Sequence, residues 1–159
     1  MLEGEVVRQL CAVLIGVVAG LRAMTAPATV SWAAHLGRLD LRGTWLAFLG
    51  YSWTPWIASL LALGELVTDQ LPSTPSRTVP PQFGARIVSG AVSGAAIAVS
   101  GGSLVGGFIG GALGAVVGTL GGRALRARLA SAIGSDRPAA FTEDAIALVG
   151  ALFIALALR

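Results

Sequence analysis

Lysine is absent from this chain, and all eleven basic residues are arginine. Charge of either sign is scarce. Only 12% of the residues are charged, where a soluble domain carries about 25%. There is one cysteine, Cys11, and one histidine, His35. A lone cysteine excludes an internal disulfide, and the pair cannot build a Cys/His metal site within one chain. Cys11 reads as a small buried apolar residue of the first span. The arginines lie beside apolar runs and form no stripe, which excludes nucleic acid as a partner. Their exclusive use in place of lysine points to GC-rich coding and a high-GC bacterium. No hydrolase elbow, P-loop or metalloprotease helix is present. No catalytic residue, metal or cofactor is implied.

What the 159 residues do contain is apolar, at 55% and a mean hydropathy of +0.79. The length fits one domain over residues 1–159. Several runs approach the roughly 20 apolar residues needed to cross a bilayer. The expected fold is all-α: a polytopic transmembrane bundle of about five spans plus one short broken or re-entrant helix. The first run, about Glu5–Leu21, follows two acids and lacks a clean cleavage site, so it reads as a retained span. Residues 22–27 break the helix. Residues 28–37 are too short to cross, and either re-enter the membrane or lie at its surface.

The second span has two registers. One runs Thr44–Gly64 with Pro55 kinking its middle. The other starts near Pro55 and runs to Leu71, with Trp53 and Trp56 at the interface. In the second, Glu65 lies nine residues beyond Trp56, or roughly 14 Å deep. Residues 72–81 hold four prolines and are expected to form a loop. The third and fourth spans cover Gly84–Ser100 and Ser103–Gly122, and the last covers Phe141–Leu158. Glu143 and Asp144 in its first turn suit the helix dipole, or could accept protons. With five crossings and the N-terminus inside, seven arginines lie inside and four outside. The positive-inside rule then expects a bacterial inner-membrane protein with a cytoplasmic N-terminus.

Glycine stands at 102, 106, 110, 114, 118 and 122. Residues four apart share a helix face, so Gly102, Gly106, Gly110, Gly114, Gly118 and Gly122 form a groove without side chains. Such a glycine zipper serves close helix packing in lipid. Its partner is either the third span, through Gly90, Gly94 and Ala98, or a second subunit. Gly107 and Gly111 widen the groove. A short echo between residues 16–22 and 114–123 makes an inverted repeat conceivable.

Glu65 and Asp69 share a helical face. With Arg22, Arg77 and Arg86 they form the candidate polar centre, joined by the hydroxyls of Thr25 and Ser76 near the breaks. The plainer alternative is that these groups cap helices at headgroup level. Gly20-Leu-Arg-Ala-Met-Thr-Ala-Pro27, Gly64-Glu-Leu-Val-Thr-Asp-Gln-Leu-Pro72 and Thr74-Pro-Ser-Arg-Thr78, followed by Arg86 and a glycine-rich pair of spans, resemble a family of small bacterial integral-membrane proteins known only as a domain of unknown function. The resemblance implies a membrane location and a polar core around those motifs, and no substrate.

The leading functional expectation is a channel or transporter for a small ion or polar solute, working with membrane lipids as a homo-oligomer. A membrane enzyme or binding protein for a lipid headgroup is the second reading, and a structural subunit the third. Transport predicts a water-filled cavity at Glu65 and Asp69. A lipid role predicts a side opening near Arg77 and Arg86. A structural subunit predicts an acid–arginine cluster sealed by ion pairs.

Overall fold

A computed structural model describes residues 2–69, 77–101 and 103–158. Every regular element among them is helical. α1 spans Leu2–Leu21, α2 Thr25–His35, α3 Thr54–Thr68, α4 Pro80–Val99, α5 Leu104–Ile133 and α6 Asp136–Ala157, with a 3-10 helix at Trp45–Gly50. Four of these, α1, α4, α5 and α6, are long and apolar enough to cross a membrane, and α3 is a shorter apolar helix.

Local chemistry explains the boundaries. α2 ends in a Schellman turn: Gly37 takes φ +74°, Arg38 N–H donates to Ala33 O and Gly37 N–H to Ala34 O. Thr44 caps the 3-10 helix by accepting from the Leu46 N–H at 3.2 Å. Pro55 falls in the first turn of α3, where its missing donor costs nothing. The register beginning near Pro55 is therefore the one adopted, and residues 45–50 form a separate short helix. Gly134 closes α5 at φ +77°.

Four boundaries differ from expectation. α2 starts at Thr25, because Pro27 sits in its first turn and interrupts no internal hydrogen bond. Pro80 and Pro81 open α4 for the same reason, so the proline-rich loop ends earlier than residue 81. α5 continues past Gly122 to Ile133. Its arginines are good helix formers, and they extend the helix where they were expected to end the span. At 30 residues it is about 45 Å long, so it outreaches a hydrocarbon core of roughly 30 Å. α6 likewise begins at Asp136, five residues before the expected start.

The long helices meet backbone to backbone. A Cβ added to Gly90 would lie 2.6 Å from Gly111 O and 3.3 Å from Gly16 Cα. α4, α5 and α1 thus cross at three glycines. Along α5, the positions of Gly114 and Gly118 abut the backbone of Val13 and Val17, Gly110 abuts the Val13 side chain, and Gly122 abuts Leu21. Gly106 lies against Gln9 and Ser103, and Gly102 is outside the described residues. This stripe faces α1, which is neither of the two partners expected for it. Gly90, Gly94 and Ala98 of α4 instead meet Gly107, Gly111 and Ala115.

The same pairs fix direction. α1 and α5 run parallel, matching Val13 to Gly114 and Leu21 to Gly122. α4 runs antiparallel to α5, matching Ala98 to Gly107 and Gly90 to Ala115. α6 is also antiparallel, with Glu143 beside Gly122 and Gly150 beside Val18. The echoing segments 16–22 and 114–123 lie side by side in parallel and are not inverted. α3 stands apart, packing chiefly on α2 and the 3-10 helix.

Candidate functional site

α1 stops at Leu21 and α2 starts at Thr25, leaving backbone groups with no intrahelical partner. In an apolar interior each must be satisfied from elsewhere. On the carbonyl side, Arg86 Nη1 donates to Leu21 O at 2.7 Å and Gly20 O at 3.1 Å. Thr119 Oγ1 also donates to Gly20 O at 3.2 Å, and Ser89 Oγ donates to Ala23 O. On the amide side, Ala23 N–H donates to Glu65 Oε1 at 2.7 Å and Met24 N–H to Glu65 Oε2 at 2.8 Å. One carboxylate thus closes two open donors.

Arg22, within the break, has no exposed surface. It pairs with Asp69 at the end of α3 and with Asp144 of α6, where Nε donates to Oδ1 at 2.6 Å. Arg86 Nη2 stands 3.5 Å from Glu65 Oε1 and 3.7 Å from Asp69 Oδ2. Arg77 forms a two-pronged pair with Glu143, one prong at 2.8 Å. Arg126 comes within 3.8 Å of Glu143 and bonds Asp136 at 2.9 Å. Four carboxylates (Glu65, Asp69, Glu143, Asp144) therefore meet three central arginines (Arg22, Arg77, Arg86), with Arg126 at the edge.

Of the residues expected to be polar neighbours, Arg22, Glu65, Asp69 and Arg86 are joined by ion pairs, and Arg77 pairs with Glu143 next to Asp144. Thr25 is buried at the start of α2, and its Oγ1 has no hydrogen-bond partner. Ser76 lies outside the described residues. Glu143 and Asp144 were expected to serve the dipole of a first turn. Because α6 starts at Asp136, they instead fall two turns in, where they are buried and paired with Arg77 and Arg22. Two adjacent acids at the head of an apolar run, in a chain with surplus arginine, were the available signal. Ser89 and Thr119 carried none, since single hydroxyls in apolar helices are ordinary. His35 ends α2, stacked edge-on against Trp32 with ring centroids 5.9 Å apart.

The cluster stands where α1 ends and α4 begins. Trp53 and Trp56 are exposed at the start of α3. Along the helix axis Glu65 is roughly 14 Å and Asp69 roughly 20 Å from Trp56. Among the described residues, two cavities lie elsewhere. One, about 430 Å³, is lined by Asp40, Arg42, Tyr51 and their neighbours. There the exposed Asp40 carboxyl is held down to about 2 by side-chain and backbone hydrogen bonds from Arg42. The other is an apolar groove of about 600 Å³ between α1 and α6, from Leu14 and Ile154 to Leu21 and Thr142. Neither is lined by the charged cluster.

No protein-family model, curated protein or solved structure matches the chain.

Proposed function

We propose that the chain is a membrane carrier or channel for a small ion or polar solute, seen closed, with Arg22, Thr25, Glu65, Asp69, Arg77 and Arg86 forming its polar centre. One observation carries this: seven charged side chains from separate elements converge at a helix break roughly 14–20 Å along α3 from its tryptophans. A cluster sealed by ion pairs suits a structural subunit as well as a closed carrier. Cost separates the two. Buried ion pairs add little net stability over apolar residues of similar volume, and charges within a membrane mark pathways, relays or partners. The glycine contacts of α1, α4 and α5 already hold the bundle, in the manner of a glycine zipper.

The test is flux of a panel of ions and metabolites into proteoliposomes, wild type against Glu65→Gln. A solute that enters with the wild type at several times the rate of the variant supports transport. Equal flux for every solute rejects it. The lipid reading has one observation in its favour: the α1–α6 groove ends at Leu21 and Thr142, beside Arg22 and Glu143. A phospholipid co-purifying at fixed stoichiometry, together with no flux, would favour it. A homo-oligomer is part of the proposal, because so small a bundle encloses no wide path alone. Cross-linking in native membranes checks it.

Helix direction changes the proposed topology. α1 ends where α4 begins, since Arg86 bonds Gly20 and Leu21. The segment between them leaves and returns at one end, and adds zero or two crossings. An even total puts both termini on one side. Arg22, Arg77, Arg86, Arg123, Arg126, Arg128 and Arg137 lie toward the cluster end, and Arg8, Arg38 and Arg42 toward the other. The positive-inside rule then favours a cytoplasmic cluster end. Both termini lie outside the inner membrane in this topology, reversing the orientation expected from five spans. Reporter fusions at residue 134 and at each terminus test it.

A further inference from the structure

Glu65 occupies the position that a ligand's carboxylate would take. Its two oxygens accept from Ala23 and Met24 N–H at 2.7 and 2.8 Å, at the N-terminus of the 11-residue helix α2. Backbone donors and the helix dipole make such a position favourable for an anion. A second observation is independent of the helix end. Arg86 is 2% exposed and its guanidinium reaches toward Glu65, yet its Nε–H has no partner. Thr25, 5% exposed on the first residue of α2, also has an unpartnered hydroxyl. Buried donors without acceptors are uncommon. Arg86 stands beside an anion seat filled by the chain's own carboxylate, and Thr25 follows the donor Met24 in sequence.

That side chain rides on a helix with little contact to the four long ones. α3 packs chiefly on α2 and the 3-10 helix, while Ile57, Leu60, Leu61 and Val67 are exposed. Both Glu65 and Asp69 belong to this end of α3. With α3 docked, four carboxylates face three arginines. With α3 withdrawn, Glu143 and Asp144 face Arg22, Arg77 and Arg86, and the surplus charge changes from negative to positive. The vacated site is then complementary to an incoming anion.

We propose that the α1–α2 break is a binding site for a small carboxylate, held by Ala23 N–H, Met24 N–H and Arg86, with Glu65 as a resident stand-in that α3 inserts and withdraws. The proposal deepens the transport reading above by naming its substrate class. The exchange is one carboxylate for another, so no bond is made or broken.

The test uses the full chain in detergent, titrated with sodium acetate, sodium phosphate or sodium chloride at matched ionic strength. Tryptophan fluorescence reports α3, because Trp56 lies 5.0 Å from Trp32 of α2. Acetate is expected to give a saturable change that chloride does not. In Glu65→Ala the half-saturating concentration should fall about tenfold, because the binding-competent state no longer competes with the resident carboxylate. Acetate should also raise the melting temperature of that variant. Arg86→Gln should lose the response.

Equal responses to acetate and chloride would overturn the proposal, as would an unchanged half-saturation in Glu65→Ala or a response to phosphate alone. Should Glu65→Ala fail to fold, the wild-type titration decides by the same acetate-against-chloride criterion. Acetate binding without flux of any solute would keep the site and reject transport. Flux of other solutes without acetate binding would do the reverse.

Discussion

The crossing of α1, α4 and α5 and the break between α1 and α2 are built from the same helices by opposite means. At the crossing, Gly16, Gly90 and Gly111 bring three backbones so close that a single added carbon meets a carbonyl or Cα. At the break, the backbone opens and long charged side chains fill the space. The first region has few polar side chains, among them the buried and unpartnered hydroxyl of Ser93 beside Gly94. The second has seven, and satisfies nearly all of them with each other and with freed backbone. In lipid, close packing of small residues holds helices together, whereas buried ion pairs are costly to assemble and damaging to break. The contrast sets close backbone packing at the crossing against charge compensation at the break.

Substitutions can break that contrast. Gly111→Leu forces α4 and α5 apart at a backbone contact, and the expected loss exceeds ~3 kcal/mol. Thermal unfolding in detergent should show little folded protein. Gly121→Ala on the same helix meets nothing within 4 Å, and is expected to be neutral or to stabilise by up to ~1 kcal/mol. Equal effects at the two positions would refute the packing assignment.

At the break, Arg22→Met removes the buried cation that Asp69 and Asp144 share, at an expected cost of about 3–5 kcal/mol. The triple change Arg22→Met, Asp69→Leu, Asp144→Leu should recover most of that stability and none of the flux. Recovery of both would make the cluster mere scaffolding. Thr25→Val removes an unpartnered buried hydroxyl, so stability should hold or rise by about 1 kcal/mol. A clear drop in melting temperature would mean that the hydroxyl has a partner.

The exposed Asp40–Arg42 pair should matter least. Asp40 has a folded value of about 2 against about 3.9 unfolded. Its contribution is therefore complete above the unfolded value and lost as pH falls from about 4 through 2. Wild type and Asp40→Asn should differ slightly at pH 7 and converge in acid, as melting curves across that range would show.

Much of the fold was legible because long apolar runs leave the backbone few alternatives to a helix. The long apolar runs marked α1, α4, α5 and α6, and Pro55 with its flanking tryptophans marked the start of α3. Boundaries failed where prolines or arginines were read as stops. Pro27, Pro80 and Pro81 sit in first turns, and Arg123, Arg126 and Arg128 continue a helix. That shift of boundaries also hid Glu143 and Asp144, because the true start of α6 buries what looked like a first turn. The glycine spacing predicted a close contact but not its partner, since a smooth face accepts any neighbour that topology brings to it.

By itself the sequence determined the helical class and the apolar runs long enough to cross a membrane, and it singled out Arg22, Glu65, Asp69, Arg77 and Arg86 as charges out of keeping with those runs. Apolar run length and the cost of charge in hydrocarbon are properties of local composition. Only the tertiary structure decided which helices run parallel, that α1 receives the glycine stripe, and that Glu65 closes the amides of Ala23 and Met24. Those pairings join residues more than 40 positions apart, and they depend on which backbones can approach closely enough to leave no buried group unsatisfied.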